Sequence, residues 1–221
     1  RWAGEVSTSY DCERVAVDGN YAYVAEFDQQ AYRSFLRVLD VSNPNAPDIV
    51  GNLALLNQVF GVAVSSPFVF LTDQEQYGDR SWLRVIDVSN PSSPRRIASC
   101  DMSPYRAFGL AVQGNYVYVA DSGGGLKVVD VSDPASPHVV GSTAVSSGAV
   151  AVAVLGRYAY VGTSGGALLV IDVSSPAAPW VVGQIETIAS FCLAVADSHA
   201  YIGGAGVQVV DVSHPGAPQV V

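Results

Sequence analysis

"VIDVSNPSSP", residues 85–94, breaks off an apolar run with an aspartate and two prolines three residues apart. The phrase returns as "VLDVSNPNAP" (38–47), "VVDVSDPASP" (128–137), "VIDVSSPAAP" (170–179) and "VVDVSHPGAP" (209–218). Its aspartates are Asp40, Asp87, Asp130, Asp172 and Asp211, at steps of 47, 43, 42 and 39 residues. A short segment recurring at this period marks a repeat architecture. A site used once appears once, so five copies assign the phrase a structural duty.

Around one copy, residues 110–141 read "LAVQGNYVYVADSGGGLKVVDVSDPASPHVVG". Four short β-rich runs are separated by turn signals at Gly114-Asn115, "DSGGG" and "SDPASP". Period-two alternation without a helix-length pattern predicts a four-stranded meander. The first strand carries Ala16, Ala63, Ala111, Ala153 and Ala194 at one slot, a small side chain that suits close approach of sheets. The second strand carries Tyr21/Tyr23, Phe68/Phe70, Tyr116/Tyr118, Tyr158/Tyr160 and His199/Tyr201, two residues apart and therefore on one face. One such sheet cannot bury these ridges alone, and stacking sheets around an axis can. The expected fold is therefore all-β, a five-bladed β-propeller of four-stranded antiparallel blades.

The third strand of each repeat ends at the aspartate, whose carboxylate is placed to accept backbone N–H bonds in the turn that follows. The first proline stops that strand. The second, lacking an N–H, fits the start of an outer edge strand. The phrase is punctuation.

With these residues in view, the pattern "GLAVQGNYVYVADSGGGLKVVDVSDPASPHVVG" resembles the LVIVD repeat, and five copies extend the resemblance over essentially the whole chain. The resemblance implies a propeller and export, as in extracytoplasmic or surface proteins of bacteria and archaea. It implies no reaction, because the repeat signature carries no catalytic residue. Departures are local: Pro67 replaces the Gly-Asn turn in the second copy, and "ADSH" replaces it in the fifth.

One domain, residues 1–221, is expected, with repeats at about 9–54, 55–101, 102–144, 145–186 and 187–221. The N-terminal "RWAG" aligns with "HVVG" (138–141) and "WVVG" (180–183), so residues 1–8 read as a closing fourth strand for the last blade. The C-terminal "PQVV" (218–221) begins a fourth strand as well, and the two compete for one slot. The duplicate trails off, or the chain is cut from a longer array, or one terminus completes a neighbouring subunit's blade. The start at Arg1 instead of methionine fits a processed form or an excised fragment.

Bulk properties narrow the function. Hydrophobic residues make up 49% and charged residues 14%, with a mean hydropathy of +0.28, as strands buried on both faces require. The longest apolar run, "AVAVAVL" (149–155), is far short of the ~20 residues of a membrane helix, so no membrane insertion is expected. A net charge of −9 repels phosphate backbones, and the ten arginines and Lys127 form no basic stripe, so nucleic acid is excluded as a partner. The wide spacing of Cys12, Cys100 and Cys192 excludes a paired-cysteine zinc site. Cys12 and Cys192 fall in the first and last blades at comparable register. They form either a disulfide that locks the clasp or two small buried hydrophobes. No cofactor is implied.

The connections between second and third strands are unequal. Residues 25–35, "AEFDQQAYRSF", and 72–82, "TDQEQYGDRSW", contain eleven each, against six, six and four in the later repeats. Loops that depart from a repeat and mix aromatics with charges are where a scaffold carries binding. The candidate binding residues are Phe27, Asp28, Tyr32, Arg33, Asp73, Glu75, Tyr77 and Asp79, with Tyr105 and Arg106 from a fourth-to-first connection. Solvated insertions are the competing reading. Asp73, Glu75 and Asp79 offer oxygens for calcium, though not at EF-hand spacing. His138, His199 and His214 lie at slots where sister repeats accept other chemistry, so no metal cluster or Ser–His–Asp set is indicated.

The resulting expectation is a non-catalytic extracellular or cell-surface scaffold for a protein or carbohydrate ligand. The alternative is a structural subunit of a self-assembling polymer through strand exchange at the termini. A hydrolase with a top-face active site ranks third, because nothing places two carboxylates at the separation glycoside hydrolysis needs.

Overall fold

A computed structural model describes residues 3–76 and 80–221. The regular structure among them is all β. The first sheet runs β1 (Asp11–Asp18), β2 (Tyr21–Asp28), β3 (Arg33–Asp40), β4 (Asp48–Ala54). The second runs β5 (Gln58–Ser65), β6 (Phe68–Gln74), β7 (Ser81–Asp87), β8 (Arg95–Asp101). The third comprises β9 (Ala107–Gln113), β10 (Tyr116–Asp121), β11 (Gly125–Asp130) and β12 (His138–Thr143). The fourth comprises β13 (Ala149–Leu155), β14 (Tyr158–Thr163), β15 (Ala167–Asp172) and β16 (Trp180–Glu186). The fifth comprises β17 (Cys192–Ala196), β18 (His199–Gly203), β19 (Val207–Asp211) and β20 (Gln219–Val220). Every sheet is a meander of sequential antiparallel neighbours, and the five are the blades of a β-propeller.

The recurring phrase does what its chemistry requires. All five third strands end on the aspartate, and all five fourth strands begin on the residue after the second proline. Each aspartate Oδ1 accepts the backbone N–H two residues on, from Ser42, Ser89, Ser132, Ser174 and Ser213, at 2.8–2.9 Å. The turn between first and second strands needs a left-handed residue, supplied by Gly19, Gly114 and Gly156 at φ near +60°. In the fifth repeat Asp197 takes that conformation, at φ +52°.

The chain forms two compact units. Residues 1–103 with 134–136 make one, and residues 104–133 with 137–221 make the other. In the first unit Tyr23, Ala25, Leu36 and Val38 of the first sheet pack against Val69, Leu71 and Ile86 of the second. In the second unit Tyr118, Ala120, Leu126 and Val128 pack against Val152, Ala159, Val161 and Ile171, and Tyr160, Leu168 and Val170 pack against Ala200, Ile202 and Val210. Within each unit the first, third and fourth sheets thus lay their aromatic faces on the opposite face of the sheet that follows.

The outer strands add a second contact. β4, β8, β12 and β16 each bulge by one residue against the third strand, at Val50, Ile97, Val140 and Val182. In three of the four, glycine follows the bulge. Gly51 abuts the Pro91 carbonyl, Gly141 that of Pro176, and Gly183 that of Pro215, each belonging to the proline turn of the next repeat. The turn is therefore both punctuation and a seat for the preceding blade.

Two expectations change. Residues 3–8 form no strand, and Gln219–Val220 take the fourth place in the fifth sheet, pairing with Asp211 and Val210. Gly4 nevertheless abuts the Pro44 carbonyl, as Gly51 abuts Pro91. The N-terminal segment thus reproduces an outer strand's contact with the following turn without its sheet pairing. Moreover, the eleven-residue connections are mostly hairpin. The first ladder continues through Phe27–Ser34 to Asp28–Arg33, and the second through Asp73–Trp82 to Gln74–Ser81. Only residues 29–32 and 75–80 connect the strands.

Candidate functional site

The first two repeats share a third-strand phrase, "RSFLRVLD" (33–40) and "RSWLRVID" (80–87), that the others replace with "GLKVVD", "ALLVID" and "VQVVD". In the first, Glu26 pairs with Phe35 and Val24 with Arg37. In the second, Asp73 pairs with Trp82 and Leu71 with Arg84. The carboxylate and the second arginine are therefore diagonal neighbours on one face. Arg37 Nε donates to Glu26 Oε1 at 3.1 Å, and Arg84 Nε donates to Asp73 Oδ2 at 2.8 Å. The third repeat keeps the pair in another form, with Lys127 Nζ 2.6 Å from Asp121 Oδ2.

All three carboxylates are buried. Glu26 Oε2 and Asp73 Oδ1 accept no hydrogen bond. Burial pushes the Asp73 carboxyl above its ordinary range, against the pull of Arg84 and, more weakly, of the nearby Asn57 amide. A cavity of about 170 Å³ opens beside it, lined by Leu53, Leu55, Leu56, Asp73, Arg84 and Arg96.

The same phrase stacks cations on an aromatic ring. The guanidinium carbons of Arg33 and Arg37 lie 5.2 and 5.3 Å from the Phe35 centroid. Those of Arg80 and Arg84 lie 5.1 and 4.4 Å from Trp82. Tyr10 stacks on Phe35 at 5.1 Å with 4° between planes. At the tip of the first hairpin Asp28 Oδ1 accepts the N–H groups of Gln30 and Ala31, both at 3.0 Å. Tyr32, at φ +48°, sets its ring edge-on to Phe27 at 5.2 Å. Tyr32 also donates to Gln58 Oε1 at 3.4 Å, tying the first hairpin to the second sheet, and Arg14 Nε of β1 donates to the Phe60 carbonyl of β5 at 2.8 Å.

The structure sorts the expected site residues by role. Phe27 is core to its hairpin and is not a contact surface. Asp28 caps the tip, Tyr32 is half-buried and Arg33 is half-exposed. Asp73 lies inside β6, buried and ion-paired, which removes it from a solvent-facing loop. Glu75 N–H donates to the Arg80 carbonyl and closes the second tip. Arg80 is exposed and donates to Asp101 Oδ2 at 3.2 Å. Tyr77 and Asp79 lie outside the described residues. Tyr105 and Arg106 belong to the other unit, both exposed, with the Tyr105 ring seated on Gly123. Among the described residues, no group of three or more His, Cys, Asp or Glu side chains is arranged to hold a metal. Cys12 and Cys192 are free thiols and exposed, not small buried hydrophobes, and Cys100 is buried.

Arg37, Arg84, Phe35 and Trp82 were not among the residues expected from the sequence. The near-identity of the third strands in two adjacent repeats, and only there, is the signal that marks them. Two exposed arginines, Arg33 and Arg80, each held against a flat ring, offer forked donors to carboxylate or hydroxyl oxygens.

The LVIVD repeat profile matches residues 11–54, 58–102, 106–145, 148–187 and 192–221. A search of curated proteins finds no match. Among solved structures, the β-propeller domain of Myceliophteria thermophila Cps50 (Swd1) superposes with a TM-score of 0.71 at 12% identity, over 92% of this chain and 68% of that one. The computationally designed Ika8 protein gives 0.66 at 14% identity, and the designed Ika4 protein gives 0.58 at 16% identity. These alignments cover 88% of this chain and 56% of Ika8, and 71% of this chain and 92% of Ika4. The chain thus spans little more than half of Ika8. At these identities the likeness concerns the fold alone.

Proposed function

The chain belongs to the LVIVD-repeat family, and we propose that it is a non-catalytic β-propeller scaffold, extracellular or at the cell surface. Its ligand is a protein or carbohydrate held by the hairpins of the first two repeats. The observation that carries this reading is the duplicated arginine–aromatic–arginine stack. Arg33, Phe35 and Arg37 recur as Arg80, Trp82 and Arg84, while the remaining repeats keep plain third strands. The inner arginines are tied to buried carboxylates, which fixes the rings and leaves the outer arginines as adjustable contacts. Rigid flat anchors with forked donors favour acidic ligands. Probing arrays of acidic and neutral glycans and of extracellular proteins with wild type and with Arg33→Ala/Arg80→Ala tests it. Ligands bound by wild type should be lost by the variant, and equal binding by both refutes the reading.

A second reading is self-assembly through the termini. It is favoured by Gly4, which abuts the Pro44 carbonyl as an outer-strand glycine does although residues 3–8 pair with no sheet. Sedimentation across a wide concentration range tests it, and a strict monomer refutes it.

A further inference from the structure

The cavity beside Asp73 lies wholly within the first unit and collects groups that the fold leaves unmet. Asp73 is 3% exposed, and its Oδ1 accepts no hydrogen bond while Oδ2 takes one from Arg84 Nε at 2.8 Å. Among the described residues, no hydrogen bond uses the Nη donors of Arg84. A buried acceptor and the donors beside it, each without a partner, cost stability unless something else meets them.

The rest of the wall is apolar. Leu53, Leu55 and Leu56 supply it, from the end of β4 and the connection to β5. Leu56 is 84% exposed, more than any other large apolar side chain among the described residues. Leu55 N–H donates to the Ser34 carbonyl as Met102 N–H donates to that of Ser81, so Leu56 stands where the next repeat has Ser103. Asp73 and Arg84 neutralise each other, which leaves Arg96 to set the charge of the cavity. It is exposed and enters no salt bridge among the described residues.

These groups describe a ligand. An acceptor next to donors matches two neighbouring hydroxyls of a sugar ring, one donating to Asp73 and the other accepting from Arg84. A trans peptide group points its N–H and C=O in opposite directions, so it meets only one of the two. The C–H face of a sugar ring suits the leucines, and a carboxylate on the ring suits Arg96. A volume of about 170 Å³ admits one six-membered ring, since a cavity of roughly 150 Å³ holds benzene. We propose that this cavity is the subsite for one uronic acid residue, with two ring hydroxyls on Asp73 and Arg84 and the carboxylate on Arg96. This rests on the ligand-binding reading above and resolves its ligand to an acidic carbohydrate. Arg80 and Arg84 share the Trp82 ring, which puts an exposed arginine of that reading beside the cavity.

Saturation-transfer NMR titrations of the whole chain test the subsite, with D-glucuronate, D-galacturonate, D-glucose and cyclohexanecarboxylate as probes. A uronate should bind most tightly. Cyclohexanecarboxylate, which keeps the ring and the charge without hydroxyls, should bind about tenfold more weakly or less. Glucose, which lacks the charge that an exposed arginine meets, should bind about threefold more weakly. Ala54→Trp sets a large ring at the cavity wall from an exposed position and should abolish uronate binding. Arg96→Ala should reduce the uronate to the affinity of glucose and leave glucose unchanged. Thermal midpoints equal to wild type show that both surface variants fold. Equal binding of uronates and cyclohexanecarboxylate overturns the subsite, as does uronate binding that survives Ala54→Trp, or no uronate binding at all. The arrays then separate the two readings. A ligand lost with Arg33→Ala/Arg80→Ala and kept by Ala54→Trp overturns the subsite alone, and ligands kept by both variants overturn both.

Discussion

Gly51 lies against the carbonyl oxygen of Pro91 so closely that a Cβ on it would overlap that oxygen. The same relationship joins Gly141 to Pro176 and Gly183 to Pro215, so the outer strand of one blade rests its bare Cα on the proline turn of the next. Backbone at that separation gains Cα–H···O contacts that any side chain would prise apart. Gly51→Ala should therefore destabilise the protein by about 1–3 kcal/mol through overpacking against backbone that cannot move aside. Gly206→Ala is the control, because nothing lies within 4 Å of a Cβ there. Urea denaturation of the two variants checks this. An alanine at 51 that leaves the midpoint unchanged would show that the turn is not a seat.

The strand-ending aspartates carry an acid dependence. Asp40, Asp87, Asp130 and Asp172 are held below the ordinary carboxylate range by hydrogen bonds from the following serine's side chain and then its backbone. Asp211 is held down by the backbone bond first. A depressed folded pKa means that the unfolded chain binds protons more readily. The stabilisation is thus complete above the unfolded value of about 4 and is lost as pH falls through the folded values. Asp73 runs the other way: its raised carboxyl costs stability at neutral pH, and protonation relieves that cost. Thermal midpoints should be flat at neutral pH and fall below about pH 4, and Asp87→Asn, which keeps the Oδ1 acceptor, should fall less steeply.

The Asp73–Arg84 pair sits at side-chain exposures of 4% and 11%, so neither charge is free to return to water. Asp73→Leu should cost about 3–5 kcal/mol by leaving a buried guanidinium with no acceptor, whereas Asp73→Leu/Arg84→Met should recover most of it. A double-mutant cycle in guanidinium chloride reads the coupling directly. Additive losses would mean that the two side chains do not act as a pair.

This pair also shows what the sequence could and could not disclose. Period-two alternation and the aspartate–proline phrase placed every sheet, because backbone pairing and turn chemistry are local. "AEFDQQAYRSF" reads as loop, since its polar residues mask a ladder whose inner charges neutralise one another across the strands. That diagonal, Glu26 to Arg37 and Asp73 to Arg84, exists only once register is fixed. Sequence alone assigns the fifth sheet's last place to residues 1–8 instead of to Gln219–Val220 for a different reason. "RWAG" and "PQVV" carry the same outer-strand signal, and only pairing to Val210 and Asp211 distinguishes them.

The cysteines give a count that separates two chemistries. Cys12 is exposed beside Thr8, whose Oγ1 is 3.2 Å from its sulfur, Cys192 is exposed at the start of β17, and Cys100 is buried in β8. Thiol reagents attack the accessible thiolate, so burial slows the reaction far more than modest differences in acidity do. Titration with a chromogenic disulfide at pH 8 should release two equivalents promptly from native protein and a third only on unfolding. Replacing Cys100 with alanine should abolish the late equivalent and leave the early two. A native count of zero, restored to two by reductant, would mean instead that Cys12 and Cys192 are joined, and the two exposed thiols of this structure would then be its reduced form.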